Sequence, residues 1–114
     1  MTTEKRWREI KETVYQDQGG VCQVCKHPYG IDYLARHHAI YSRDKRFSKF
    51  LNSEENIVLL CVKCHGGAKH GRLLHWMRRN MFWIDKIDQG YDMITWHDSI
   101  PMLEKDHFIY TKEE

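Results

Sequence analysis

Apolar side chains near the start of the chain recur at helical spacing. They are three and four residues apart, which places them on one face of an α-helix. These residues are Trp7, Ile10 and Val14. Thr2 and Thr3 precede the pattern as a typical helix start, and Gly19 and Gly20 end it. The pattern predicts a leading amphipathic helix within residues 1–20, with its apolar stripe turned toward a protein core.

Two segments further along the chain predict β-strands. Residues 33–41 are rich in β-formers, and residues 57–60 form a continuous apolar run with β-branched members. A basic loop, residues 42–49, follows the first segment. Residues 63–80 predict a helix that is interrupted at the glycine pair 66–67. The predicted order is therefore strand, loop, strand, helix.

The last part of the chain gives weaker signals. Gly90 and Pro101 interrupt it, and residues 88–90 predict at most a hairpin turn. It is nevertheless rich in large apolar side chains, which favours packing against the rest of the chain or against a partner subunit. These side chains are Trp83, Tyr91, Met93, Trp96 and Phe108.

The formal net charge of +2 hides an asymmetry along the chain. Residues 1–79 carry 15 Lys and Arg against 8 Asp and Glu, whereas residues 80–114 carry 3 against 8. The two parts therefore have formal charges of +7 and −5. A basic first part suits a polyanion such as nucleic acid, with an ordinary solvated basic surface as the alternative.

All four cysteines fall into two CxxC pairs, Cys22 with Cys25 and Cys61 with Cys64. A tight CxxC turn places two thiolates on one tetrahedral ion, so the two pairs predict a structural zinc site. Two disulfides, as in a small secreted domain, are the alternative. The N-terminus has no apolar signal segment, and the longest apolar run, residues 57–62, is too short to span a membrane. The sequence therefore favours zinc and a cytoplasmic location.

The length of 114 residues fits one domain with a modest core. We expect a single domain over residues 1–114, with the leading helix at 1–20, a central core at 21–75 and an acidic, aromatic-rich extension at 76–114. The two CxxC pairs are separated by 35 residues. Closing that gap gives zinc a large organising role, since a structural zinc ion supplies on the order of 10 kcal/mol of folding free energy.

Four further residues stand at fixed places among the cysteines. His37 and His38 lie on the first predicted strand, Asn56 precedes the second, and His65 directly follows the last cysteine. Together with the two CxxC pairs, this arrangement resembles the HNH endonucleases, also called ββα-metal or His-Me finger nucleases. The resemblance implies an α+β fold: a small zinc-stapled ββα-metal core, to which this chain adds an N-terminal helix and a C-terminal extension.

Carried over residue by residue, the resemblance makes His38 the general base that activates a water. His37 and His65 would be ligands of one divalent cation, Mg²⁺ or Mn²⁺ or another, bound to the scissile phosphate. Imidazole accepts a proton near neutral pH and a cation stabilises charge on a phosphate, so these groups suit phosphodiester hydrolysis. Asn56 would hold the loop and the base through backbone hydrogen bonds; a plain turn amide is the alternative.

Two points of the resemblance are open. Adjacent residues on a regular strand point to opposite faces, so His37 and His38 serve one site only if the strand bends or ends there. Many family members place a third ligand four residues after His65, where this chain has Lys69. His70 is the expected third ligand, provided that the preceding glycines allow a bulge or a late helix start. The other histidines are expected to be structural or exposed: His27, His75, His97 and His107.

Basic residues in the loop between the strands and near the predicted helix are expected to contact the phosphates of DNA. They are Arg43, Lys45, Arg46, Lys69 and Arg72. Backbone contacts position an enzyme without specifying sequence, so we expect weak sequence preference unless a homodimer or a larger protein partner supplies it. Carboxylates of the extension would lower non-specific DNA affinity if they lay near this basic surface.

The predicted function is a metal-dependent endonuclease that hydrolyses phosphodiester bonds of DNA. A ribonuclease with the same site is an open alternative. So is a non-catalytic zinc module that binds nucleic acid or protein, although such a module has no need for the histidines and asparagine of the motif.

Overall fold

The computed structural model describes residues 2–40, 45–66 and 81–100. Its helices are α1 (Glu4–Asp17), α2 (Ser48–Leu51), α3 (Val62–His65), α4 (Met81–Asp88) and α5 (Met93–Asp98), and its strands are β1 (Leu34–His38) and β2 (Ile57–Cys61). Short 3-10 helices, Ile31–Tyr33 and Lys45–Phe47, precede β1 and α2. The α+β class and the order strand, loop, strand, helix are confirmed. Among the described helices, none combines the length and the apolar character needed to cross a membrane.

The leading helix α1 forms where the sequence predicts it. The side-chain oxygen of Thr3 accepts a hydrogen bond from the backbone N–H of Arg6 at 3.1 Å and so caps the first turn. Ile10 and Val14 are fully buried, while Trp7 is half-buried at the edge of the core. The apolar stripe therefore packs on the core, and Trp7 is left at its border.

The two strands form an antiparallel pair in which Leu34 lies opposite Cys61 and His38 lies opposite Ile57. All five residues of β2 are buried. A strand that is covered on both faces has a continuous apolar sequence rather than an alternating one, which is why the run at 57–60 was a clear signal. The strand β2 thus forms the centre of the core, and α3 begins directly after its last residue, Cys61.

The first strand is shorter than predicted. Tyr33 belongs to the preceding 3-10 helix, and β1 ends at His38, where the chain bends through Ala39 and Ile40. The cause is the side chain of Asn56, which hydrogen-bonds both the N–H and the C=O of Ile40 at 2.8 Å. Because these backbone groups are already paired, they do not continue the ladder with β2.

The turn predicted as a hairpin is a connection between two helices, so that prediction is wrong. Gly90 follows α4 with φ of +101°, a conformation that favours glycine, and its N–H donates to the carbonyl of Ile87 at 2.9 Å. Asp92 then caps α5 by accepting a hydrogen bond from the N–H of Thr95 at 3.0 Å. A helix stop followed directly by a helix cap leaves no strand on either side.

The described part of the acidic extension packs on the core. Phe82 and Met93 are buried, and the indole N–H of Trp96 donates to the carbonyl of Phe50 at 3.0 Å. Several predictions concern residues outside the described part of the chain. These are the helix at 63–80 beyond its described start in α3, the last residue of the strand predicted at 33–41, and the packing of Phe108.

Candidate functional site

Four thiols converge where the end of β2 meets the loop after α1. Their sulfurs all lie within 4.8 Å of one another, and the sulfurs of Cys25 and Cys61 are 3.9 Å apart. A tetrahedral zinc ion with bonds of about 2.3 Å separates its sulfurs by about 3.8 Å, whereas a disulfide brings two sulfurs to about 2.0 Å. All four cysteines are free thiols. The two CxxC pairs therefore form one metal-binding cluster, which we call the cysteine cluster: Cys22, Cys25, Cys61 and Cys64.

Local turns build each half of the cysteine cluster. In the first pair the N–H of Lys26 donates to the carbonyl of Cys22 at 2.9 Å, and the N–H of Cys22 donates to the carbonyl of His27 at 3.0 Å. Lys26 has φ of +65°, the left-handed conformation that glycine adopts more easily, so the turn carries some strain. In the second pair, Cys61 ends β2 and Cys64 lies one turn later in α3.

Burial and hydrogen bonds set the acidity of the thiols. Burial raises the pKa of Cys25 and of Cys64. Burial also opposes ionisation of Cys61, but hydrogen bonds from the backbone N–H of Cys64 and the hydroxyl of Tyr29 outweigh it and lower the pKa of Cys61 to about 6. The same hydrogen bond to Cys61 raises the pKa of Tyr29 to about 12. One divalent cation would stabilise all four groups as thiolates, since a coordinating thiol is deprotonated outright.

A second group of side chains lines a cleft of about 200 Å³, the histidine cleft: Arg36, His37, His38 and His65. The ring of His37 in β1 lies edge-on to the ring of His65 at the end of α3, with centroids 5.4 Å apart and planes inclined by 78°. Burial, together with the neighbouring His65 and His38, lowers the pKa of His37 to about 4. At pH 7 this imidazole is therefore neutral and offers a ring nitrogen lone pair to a cation.

The end of β1 explains how two adjacent histidines line the same cleft. His38 is the last residue of the strand, and its Nε2 lies 2.7 Å from Oδ1 of Asn52. Its ring also packs edge-on against Trp7, with centroids 5.8 Å apart. The guanidinium of Arg36 lies over the same indole, 4.3 Å from the ring centroid. His38 therefore borders the cleft from the side of α1, and His37 borders it from the side of α3.

Asn56 is buried, and both ends of its side-chain amide bond to backbone. Its Oδ1 accepts from the N–H of Ile40 at 2.8 Å, and its Nδ2 donates to the carbonyls of Ile40 at 2.8 Å and Leu51 at 3.0 Å. It thus fixes the chain two residues after His38 and the last residue of α2. This geometry suits a residue that holds the loop and the base, and its part in catalysis stays a prediction.

The other predicted site residues divide into two groups. Lys45 and Arg46 are exposed, and Lys45 lines a cavity of about 410 Å³ with Trp7 and Asn52. Both of these neighbours also contact His38, so Lys45 lies beside the histidine cleft. The remaining ones lie outside the described residues: Arg43, Lys69, His70 and Arg72.

A larger cavity, of about 400 Å³, lies next to Cys61. The described residues that line it are largely apolar, with Tyr33 and Val62 strongly exposed, and no histidine is among them. Three histidines converge instead in the smaller histidine cleft, so the type of side chain rather than the size of the cavity identifies the candidate active site.

Sequence reasoning missed two residues that support these sites. Asn52 reaches His38 because α2 ends at Leu51 and the chain then turns back toward β1. Tyr29 contacts the sulfur of Cys61. Neither stands at a motif spacing, and nothing in the sequence indicates what either side chain contacts.

Residues 22–71 match the family model of the HNH endonucleases. No curated protein and no solved structure gave a match to the chain. The matched residues contain both CxxC pairs, the histidines of the cleft and Asn56. The match indicates a nuclease, and hence a partner that is a nucleic acid. With this match and with the four cysteines gathered into one metal-binding cluster, residues 22–71 are similar to the HNH endonuclease family.

Proposed function

We propose that this chain is a metal-dependent endonuclease that hydrolyses phosphodiester bonds of DNA. The observation that carries the proposal is the convergence of His37, His38 and His65 on one cleft, within residues that match a nuclease family. A zinc module that only binds a partner would require the cysteine cluster but not these three imidazoles.

His38 would be the general base. Its ring is held by Asn52 at one nitrogen and by the indole of Trp7 at its edge, and it lines the cleft where a phosphate and a water would meet. Imidazole suits the role because it is a side chain that both accepts and releases a proton close to neutral pH.

His37 and His65 would hold one divalent cation. Their rings are adjacent, and the lowered pKa of His37 keeps it in the neutral form that a metal requires. Such a cation would act as a Lewis acid toward the phosphate. Mg²⁺ and Mn²⁺ are the proposed cofactors, and nitrogen ligands favour Mn²⁺ over Mg²⁺. His70 is the proposed third ligand.

The cysteine cluster would hold a structural zinc ion that takes no part in the chemistry. Four protein sulfurs complete a tetrahedral shell and leave no position open to a substrate. The ion would tie the loop after α1 to the junction of β2 and α3. Because His65 directly follows Cys64, zinc would also set the position of one ligand of the catalytic cation.

DNA would approach along the basic residues beside the cleft. Arg36 lines the cleft itself, Lys45 is exposed next to it, and Arg46 is an exposed neighbour of Lys45 in the chain. These groups would neutralise phosphates and confer little sequence preference. A second copy of the chain or a larger partner would then have to supply specificity.

Cleavage of supercoiled plasmid by zinc-loaded protein, with and without added Mg²⁺ or Mn²⁺, tests the proposal. We expect nicking that depends on the added cation. His38→Ala should abolish nicking and leave Mn²⁺ binding and the melting transition unchanged, whereas His65→Ala should also weaken Mn²⁺ binding. His97→Ala, a histidine of α5 outside the cleft, is the matched control and should cleave normally.

Other outcomes would point elsewhere. Cleavage of RNA without cleavage of plasmid would indicate a ribonuclease that uses the same site. DNA binding with no cleavage of either nucleic acid would indicate a non-catalytic zinc module. Normal nicking by the variants at all three cleft histidines would exclude the proposed active site.

A further inference from the structure

Asn52, a residue outside the HNH motif, makes a direct side-chain contact with His38. We infer that Asn52 is a positioning residue for the proposed base: it holds the ring in one orientation and fixes the proton on Nε2. The inference rests on the proposed function for its catalytic consequence, while the hydrogen-bond geometry stands on its own. The contact is short, 2.7 Å between Nε2 of His38 and Oδ1 of Asn52.

The direction of the Asn52 amide determines the tautomer. Its Nδ2 donates to the hydroxyl oxygen of Thr2 at 3.0 Å, which leaves Oδ1 turned toward His38. An amide oxygen only accepts hydrogen bonds, so Nε2 of His38 carries the hydrogen in this pair. In a neutral imidazole the lone pair then lies on Nδ1, the nitrogen that would take a proton from water. A flipped amide would hold the opposite tautomer, which makes the inference testable.

Asn52 is itself held from several directions. Its backbone N–H donates to the carbonyl of Ser48 at 2.8 Å, at the end of α2. The preceding carbonyl, that of Leu51, is bonded by Asn56 at 3.0 Å. Thr2, the partner of the amide, directly precedes the residue that caps α1. The position of His38 is therefore set jointly by α1, by α2 and by the asparagine of the motif.

A second link ties α1 to the same loop. The guanidinium of Arg6 forms two hydrogen bonds to the carboxylate of Glu54, at 2.7 and 2.9 Å. Such a paired contact restricts both distance and angle. It helps to hold the start of α1, and with it Thr2, close to Asn52. The contacts that hold His38 therefore include residues outside the segment that matches the family model.

The kinetic test compares four variants of the full-length, zinc-loaded protein in plasmid nicking. Asn52→Leu removes the acceptor and should lower kcat about 100-fold, with KM changed by less than about threefold, because the base is misplaced while the substrate still binds. Asn52→Asp keeps an acceptor for both partners, since the Thr2 hydroxyl can also donate, and should retain kcat within about 10-fold. Thr2→Val should have an intermediate effect. Thr13→Val, at an exposed position of α1, should match wild type.

A spectroscopic test is independent of catalysis. The ¹⁵N chemical shifts of the His38 ring, measured at a pH where it is neutral, should show Nε2 protonated in wild type and in Asn52→Asp, and a mixture of tautomers in Asn52→Leu. A wild-type ring protonated on Nδ1 would overturn the inference even if the enzyme is active. So would equal losses of kcat in Asn52→Leu and Asn52→Asp. A wild-type protein that shows the Nε2 tautomer but never cleaves would refute the proposed function and leave the positioning contact intact.

Discussion

The cysteine cluster and the histidine cleft meet at the junction of β2 and α3, yet they are built over different ranges of the chain. Each half of the cysteine cluster is a tight local turn, and one ion would join the halves. The cleft depends on contacts between distant segments. His38 is held by Asn52 and Trp7. Asn56 joins the backbone after β1, at Ile40, to the backbone at the end of α2, at Leu51. One metal ion can join the two local turns of the cysteine cluster, whereas the placement of the cleft histidines depends on hydrogen bonds between distant parts of the chain. Substitutions should therefore separate the two regions.

The largest expected effect is the loss of both regions together. Cys64→Ser removes a ligand of an ion that supplies on the order of 10 kcal/mol, about as much as the whole stability of a small domain. We expect no cooperative unfolding transition by circular dichroism and less than one zinc per chain by elemental analysis. His27→Ala, an exposed residue next to the first CxxC pair, should keep both. An unchanged melting transition in Cys64→Ser would contradict a structural zinc.

The next effect should break the cleft and spare the cluster. Asn56→Ala deletes three buried hydrogen bonds and leaves their backbone partners unpaired, a loss of about 3–5 kcal/mol. Zinc content should stay at one per chain, while nicking per folded molecule should fall by at least about 10-fold.

Gln18→Ala is the matched control for this change. Gln18 is also buried and also makes three side-chain bonds to backbone, two to the carbonyls of Val21 and Leu59 and one from the N–H of Leu59, at 2.8 to 3.1 Å. It lies on the side of the cysteine cluster. It should lose similar stability but retain nicking when folded. Equal losses of nicking in both variants would mean that stability, and not local placement, governs the cleft.

The same difference in range explains what could be predicted from the sequence. The cysteine cluster follows from spacing, because a CxxC turn has few conformations. The strand β2 follows from its apolar run, and α1 from its stripe. The histidines of the cleft were found through the family resemblance, and the structure places them together.

The rest required three-dimensional contacts. The early end of β1 results from Asn56, 16 residues away from Ile40, and no local propensity encodes it. The sequence around Gly90 predicts a hairpin turn, but the same signal also fits the end of a helix. A glycine after polar residues occurs in both places, so the sequence alone does not separate them. Asn52 could not be singled out, since a turn asparagine is ordinary and its value comes from lying 2.7 Å from His38.

Lys86 supplies a pH-dependent test of how α4 is attached to the core. It is buried, donates to the carbonyl of Glu54 at 2.6 Å, and has a pKa lowered to about 8 by burial, which nearby carboxylates only partly offset. The folded protein releases this proton near pH 8, while the unfolded chain keeps it to about pH 10.5. The free energy of unfolding of wild type, compared with that of Lys86→Met, should therefore rise as the pH increases from about 8 to 10.5. The rise should be about 1.4 kcal/mol per pH unit and about 3 kcal/mol in total.

Urea unfolding of wild type and Lys86→Met across pH 7.5–10.5 measures that difference, and groups common to both proteins cancel. Lys63→Met, which replaces an exposed lysine, should differ from wild type by a constant amount. If the difference in free energy of unfolding between wild type and Lys86→Met did not change with pH, Lys86 would have its ordinary pKa and would not be buried away from water.

The smallest effect concerns the charge around the cleft. Of the acidic residues in the extension, Asp85 is bonded to Gln23 and Asp92 caps α5, so neither can be changed without disturbing structure. Asp88 and Asp98 are exposed and have no such role as caps. They are the carboxylates that could repel phosphate, over a screening length of about 10 Å at 0.1 M salt.

Asp88→Asn combined with Asp98→Asn should raise DNA affinity two- to threefold at about 50 mM salt, with the gain vanishing near 200 mM as the field is screened. Zinc content and melting should not change, because neither carboxylate touches the cysteine cluster or the clamp of Asn56. Glu12→Gln with Asp32→Asn makes the same change in net charge on exposed positions elsewhere. If this control pair gained as much affinity, net charge alone would explain the effect, and the extension would act as scaffold. A gain confined to the first pair would place those carboxylates within one screening length of the bound DNA.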